Sequence, residues 1–335
     1  MSRLVFMYYP GHEPEHLRRF LPKGFKIEVF DPIQQYPADT VFYYDMYGPY
    51  EDHILIHLDQ GYKVVYDAKN EHYIHFRRHY IFYSFLQHPG QGCIIISGDR
   101  PNNVPGVDII ATPYWYWILD QKSLIDNGVD QQVRTWDTNK KFFMSLGLHR
   151  VERDYLFDNL GNLLNDSLYS YRHRGMFLPD DASMDVNWQR YVNPTWMNTT
   201  AFTLAVETCV MDDVKYGFSL TLDDNHFLCE KTYKPLAAQH PLLLVSTQGN
   251  LAYMRSQGFE SFPELFDESY DNISDWQKRI DRIIEIVRDF DVGLVNQPIV
   301  QEKIKHNRDH FFNIDLVNQL AQDTIQQPLF EFING

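Results

Sequence analysis

The chain has 335 residues, 44% of them hydrophobic and 22% charged, a composition that excludes a disordered chain and suits two folded domains better than one. A formal charge of −15 argues against a protein that grips nucleic-acid phosphates or docks on anionic lipid through a basic face. Three cysteines without paired spacing, no signal-peptide pattern and no window of about 18 apolar residues predict a reduced, cytoplasmic protein with no membrane span.

The first portion alternates short apolar runs with polar connectors. Leu4–Tyr9, Lys26–Phe30, Thr40–Asp45, Lys63–Asp67, Cys93–Ser97 and Val107–Ala111 each read as a buried strand. Tyr73–Gln87 is long enough for a helix, and strands separated by crossover segments predict a mostly parallel sheet. The polar stretch Gln121–Asn139, with the turn Asp126-Asn127-Gly128, marks the junction between a domain over 1–138 and a second over 139–313.

The second domain restarts the α/β pattern. Lys141–Ser145 reads as a strand, Val151–Leu164 as a helix, Arg172–Pro194 as a loop and Ala201–Val206 as a strand. A helix opens at Glu230 and ends at His240-Pro241; Leu242–Val245 then makes a buried strand, and a Gly249 turn leads to another helix. Trp276, Ile280, Ile283, Ile284, Val287 and Phe290 form an amphipathic stripe that predicts a helix over Asp275–Phe290, with Ser274 and Gln277 spaced as a capping box. The tail, 314–335, is amphipathic until Pro328 and is expected to cross back to the first domain.

Glu230 and Lys231 carry the sharpest chemistry. At the amino end of a helix in an open α/β sheet, backbone N–H groups and the helix dipole favour phosphate. A Lys one residue into that helix neutralises a diphosphate, and an adjacent Glu accepts from sugar or ribose hydroxyls. The order E-K-x-x-K-P-L-x-A-x-x-P from Glu230, followed by G-x-L-x-Y-x-R from Gly249, resembles the donor half of GT-B glycosyltransferases. It is most similar to the α-1,3-fucosyltransferase-like group and to related proteins of large viruses and phages, over roughly residues 140–290. The resemblance implies an α/β GT-B fold of two Rossmann-like domains facing a cleft, with the Glu230-Lys231 pair on the donor. It also implies a viral source, and then the host cytoplasm.

Further donor candidates follow the strands. Arg150 and then Arg153 stand where the first strand of the second domain hands over to a helix, and Arg forks onto diphosphate oxygens. Similar proteins use a basic residue in this region. Glu207 closes the Ala201–Val206 strand, where it serves either donor hydroxyls or a structural hydrogen bond. Asn225 and His226 precede the Glu-Lys helix, where the donor is approached in similar proteins, and Lys234 follows one turn later. For the base that deprotonates an acceptor hydroxyl, Asp45 is the first choice, with Asp67 and Glu51-Asp52 beside it.

Two metal patterns are set aside. His72, His75 and His79 share a helical face but lack the H-E-x-x-H spacing, and Asp289-Phe-Asp291 ends a helix rather than a strand. No metal and no cofactor are expected. The reading is a metal-independent glycosyltransferase that moves a sugar from a nucleotide diphosphate sugar to a hydroxyl acceptor. Its alternatives are a viral glycosyltransferase acting on a hydroxymethylated DNA base and a noncatalytic sugar-binding or scaffold protein.

Overall fold

A computed structural model describes residues 3–7, 26–45, 51–72, 80–98, 104–112, 125, 128–131, 133–178, 193–208, 210 and 226–335. The chain divides into two compact units, Met1–Trp117 with Ile314–Gly335, and Ile118–Asn313. Each carries an all-parallel sheet.

In the first unit the strands are β1 (Arg3–Phe6), β2 (Lys26–Val29), β3 (Thr40–Asp45), β4 (Lys63–His72), β5 (Gly92–Ser97) and β6 (Val107–Thr112), in the order β2-β1-β3-β4-β5-β6. These are the six apolar runs of the sequence. A parallel sheet covered on both faces buries consecutive residues, so such strands show as unbroken hydrophobic runs. Helices α1 (Ile54–Asp59) and α2 (Tyr80–Gln87) set Ile54, Leu58, Ile81, Phe82 and Phe85 against Phe42, Val64, Tyr66, Ile94 and Ile96. Gly92 opens β5 because a Cβ there would collide with the Phe85 ring.

The second unit holds β7 (Lys140–Leu146), α3 (Val151–Leu160), β8 (Leu168–Tyr171), α4 (Pro194–Thr199) and β9 (Thr200–Val206). It continues with α5 (Glu230–Ala237), β10 (Leu242–Val245), α6 (Asn250–Ser256), α7 (Trp276–Asp289) and α8 (Pro298–Phe311). Its strand order is β10-β9-β7-β8. Strand β7 runs first to β8 on one side, and the chain then returns to β9 on the other. The direction of winding therefore reverses between β7 and β9, which is where an open α/β sheet leaves a crevice at its carboxyl edge. Phe202 anchors the core against Phe142, Phe266 and Phe290, at ring separations of 5.9, 5.0 and 4.7 Å. The α7 stripe is buried through Ile280, Ile283, Ile284 and Val287.

The tail forms α9 (Ile314–Ala321), a π-helical stretch over Gln322–Gln326 and α10 (Gln327–Asn334), and groups with the first unit. Lys63 of β4 donates to the Phe332 carbonyl at 2.7 Å and lies 5.2 Å from its ring.

Several local expectations need correction. Pro328 does not interrupt the tail helix; it sits in the first turn of α10, directly after the π-helical stretch Gln322–Gln326. The cap of α7 is Asp275, whose carboxylate accepts from Lys278 N at 2.9 Å, one residue after the expected Ser274. The helix expected over Val151–Leu164 leaves α geometry at Leu160 and tightens to 3-10 over Gly161–Asp166. His72 is the last residue of β4, so it cannot start a helical histidine face; His75 and His79 lie outside the described residues. Glu51 and Asp52 lie in a short 3-10 helix rather than a loop. No described helix is long and apolar enough to cross a membrane.

Candidate anion-binding site

The crevice between β7 and β9 opens into a cavity of about 540 Å³. Its lining carries Arg150, Arg153, Arg172, Lys231 and Lys234, together with His173, and no described Asp or Glu. In a chain with net charge −15, five cations around one cavity with no carboxylate among its described lining residues stand out against the overall charge.

Arg150 is the N-cap of α3, in extended conformation, and no side chain caps that helix. Its carbonyl accepts from the amides of Arg153 and Asp154, at 3.1 and 3.0 Å. The positive end of the α3 dipole therefore adds to the same wall. Arg153, one turn on, is only 4% exposed. Its guanidinium donates to the carbonyls of Leu148 (2.9 Å) and Glu207 (3.4 Å), and Nε has no partner among the described residues. It forms no salt bridge among the described residues. Burial lowers its pKa, and neighbouring Arg150 adds to that, against the pull of Cys229, Glu152 and Glu207. Among the described residues its hydrogen bonds go to carbonyls, while Glu152 and Glu207 act on its charge through space.

Lys231 reaches the cavity from the first turn of α5, with its side chain 17% exposed. Nζ lies 2.7 Å from Glu230 Oε1 and 3.2 Å from Cys229 Sγ. Burial works against its charge, but Cys229, Glu230 and Glu207 together hold the ammonium pKa above its ordinary value. Burial likewise works against the Glu230 carboxylate, and Lys231 with Lys234 outweighs it, so Glu230 sits below the usual range. Both partners are thus ionised at neutral pH. Glu230 itself is buried and does not line the cavity.

Glu207 is wholly buried and turned toward the helix. Oε1 accepts from Cys229 N (3.0 Å) and from the Thr232 hydroxyl (2.5 Å), and Oε2 from Cys229 Sγ (2.7 Å). It caps α5 from the preceding strand. The free amides expected at the start of the Glu-Lys helix are therefore partly taken by the protein's own carboxylate, and Lys231, not the helix terminus, supplies the positive charge there.

A second clamp shapes the opposite wall. Asp154 accepts from the Tyr171 hydroxyl (2.7 Å) and from Arg174 Nη2 (2.8 Å), and pairs with His149 Nδ1 at 3.0 Å. His173 N donates to Gly147 O at 3.3 Å. These contacts lock the turn after β7 onto the turn after β8, which delivers Arg172 and His173 to the cavity. Sequence reasoning passed over both as loop residues. The available signal was the basic run Arg172-His173-Arg174 directly after a strand, since strand carboxyl ends line such crevices.

The structure thus brings Arg150, Arg153 and Lys231 together, with Lys234, and sets Glu207 and Glu230 behind them. His226 lies apart from the cavity lining, stacked on Tyr253 at 5.3 Å and against Gly249. Asn225 lies outside the described residues. Asp45 belongs to the other unit, at the end of β3 in register with Asp67, whose buried carboxylate accepts from the Tyr43 hydroxyl at 2.6 Å. Comparison with protein-family models, curated proteins and solved structures finds no match in any of the three.

Proposed function

We propose that the protein is a glycosyltransferase of the GT-B type that uses a nucleotide diphosphate sugar. The observation that carries this reading is the cavity at the β7/β9 reversal, walled by five cations and by no described carboxylate. Cleaving a sugar from a nucleotide diphosphate leaves charge on the departing diphosphate. Fixed cations aimed at that charge lower the barrier, because they need not reorganise as it develops. In this reading Arg150, Arg153 and Lys231 hold the diphosphate without a metal, and Glu230 keeps Lys231 ionised and oriented. The hydroxyl acceptor needs a base, for which Asp45 is the candidate.

Titration calorimetry of the full chain with GDP, UDP and CDP tests the proposal. At least one should bind, and Lys231→Ala should weaken that binding by about 1.5–3 kcal/mol, the worth of one hydrogen bond to a charged group. Equal affinity in wild type and variant, or no binding of any of the three, would overturn it. Release of the nucleoside diphosphate from its sugar-bearing donor, with the sugar recovered on the acceptor hydroxyl, would then establish turnover.

A further inference from the structure

The cavity does not stop at the cations. Its lining runs from Gly147 and Thr208, past the strand ends, back to Phe143 and Thr203 in the middle of β7 and β9. Val206, the last residue of β9, lies three positions beyond Thr203, a span of about 10 Å along a strand. At this inner end stands an aromatic shelf. Trp196 of α4 stacks on Phe143 with ring centroids 5.6 Å apart and planes at 26°, beside buried Met197, and all three line the cavity.

The shelf is fixed before any ligand arrives. Asn193 caps α4, its Oδ1 accepting from the amides of Thr195 (3.0 Å) and Trp196 (3.4 Å). At the other end, the Trp196 carbonyl accepts from the hydroxyls of Thr200 (2.7 Å) and Thr199 (3.3 Å). The backbone around Trp196 is held by these bonds and its ring by the stack on Phe143, so little freedom is lost on binding a ligand and the contact is realised as affinity. Asn193 also lines the cavity, and with Oδ1 committed to the cap, its Nδ2 donors are what it offers a ligand.

We propose that Trp196 and Phe143 form the nucleobase platform of this site, with Asn193 Nδ2 donating to a carbonyl on the base edge. This rests on the nucleotide-sugar reading and adds an orientation to it. The diphosphate lies at the strand ends on Arg150, Arg153 and Lys231, and the base lies inward, about 10 Å away, against the indole. A base with a ring carbonyl, uracil, cytosine or guanine, is favoured over adenine.

The test measures affinities of inorganic pyrophosphate, UDP, GDP, ADP and geranyl diphosphate for the full chain, in wild type and in Trp196→Ala and Trp196→Phe. Base–aromatic stacking predicts that Trp196→Ala loses roughly ten-fold or more in UDP or GDP affinity. Pyrophosphate binding should stay within about two-fold, because no stacking is lost. Trp196→Phe should recover most of the loss, which excludes misfolding as its cause, and an unchanged melting temperature with pyrophosphate checks the same point. ADP should bind more weakly than the preferred carbonyl-bearing nucleotide. Equal weakening of pyrophosphate and nucleotide by Trp196→Ala, or no weakening of either, would overturn the platform. So would geranyl diphosphate binding more tightly than every nucleotide, which would make the inner end a lipid slot. Pyrophosphate binding without any added affinity from a nucleoside refutes the platform alone. Failure of every anion to bind the wild type refutes the nucleotide-sugar reading beneath it.

Discussion

Replacing Glu207 separates two roles that a strand-end carboxylate can play. Its carboxylate accepts from Cys229 N, Cys229 Sγ and the Thr232 hydroxyl, all within 3.0 Å, and the residue is wholly buried. Glu207→Ala removes the cap of α5, a loss of about 1–2 kcal/mol by analogy with other caps. It also strands the Cys229 amide, a buried donor whose desolvation then goes uncompensated, at about 1–3 kcal/mol. The two terms share the Cys229 amide, so the expected loss is about 3 kcal/mol rather than their full sum. Glu207→Gln keeps an oxygen for Cys229 N and Thr232 and loses the charge facing the helix dipole, about 1 kcal/mol, together with the acceptor for Cys229 Sγ. Urea unfolding, with hydrogen exchange followed over residues 229–237, reads both. Since the carboxylate faces the helix and not the cavity, Glu207→Gln should hold diphosphate affinity within a few-fold. A Glu207→Ala variant less than 1 kcal/mol below wild type would refute the capping role. A large loss of affinity at unchanged stability would return Glu207 to the ligand, as one reading of the sequence had it.

Two further outcomes can be checked directly. His57 packs on Phe42 at 3.6 Å and its Nδ1 lies 2.6 Å from the Tyr44 hydroxyl; burial first, and His53 second, bring its pKa down to about 4. The unfolded chain takes up a proton near pH 6.5 while the folded chain does not, so this contribution is whole above about 6.5, falls away as pH drops toward 4 and is level below that. NMR titration of selectively labelled histidine should find one imidazole titrating near 4, and its absence, with every histidine titrating between 6 and 7, would contradict the burial. Gly249→Ala should lower stability by about 1–3 kcal/mol, since Gly249 has φ +82° and a Cβ would lie 2.8 Å from His226 Nε2. An unchanged melting temperature would show that His226 does not hold this position.

The strands were the most legible part of the chain. Thr40–Asp45 and Leu242–Val245 coincide with β3 and β10, because each buries every or nearly every residue, β3 inside its parallel sheet and β10 at a covered edge of its own. Turn and cap details were harder. Ser274 and Asp275 are both good caps by composition, and only the path of the backbone into α7 decides that Asp275 reaches Lys278 N. Trp196 gave no sign in the stretch between the loop ending at Pro194 and the strand opening at Ala201, since its value lies in a ring from a different element, Phe143.

By itself, the sequence determined the α/β class, the run of parallel strands and the pairing of Glu230 with Lys231, because these depend on neighbours along the chain: burial runs, helix periodicity and adjacency. Tertiary structure decided which charges meet. Arg153 and Glu207 are 54 residues apart and join through one guanidinium–carbonyl contact. Glu207 and Cys229 are 22 apart, and their contact turns an expected ligand group into a helix cap. Arg172 lines the cavity between Tyr171 and Arg174, neighbours that Asp154 of α3 ties down from 17 and 20 residues away. Local propensity has a range of a few residues, whereas hydrogen bonds and fields act across space, so the assembly of the site was left to the order in which the strands lie in the sheet.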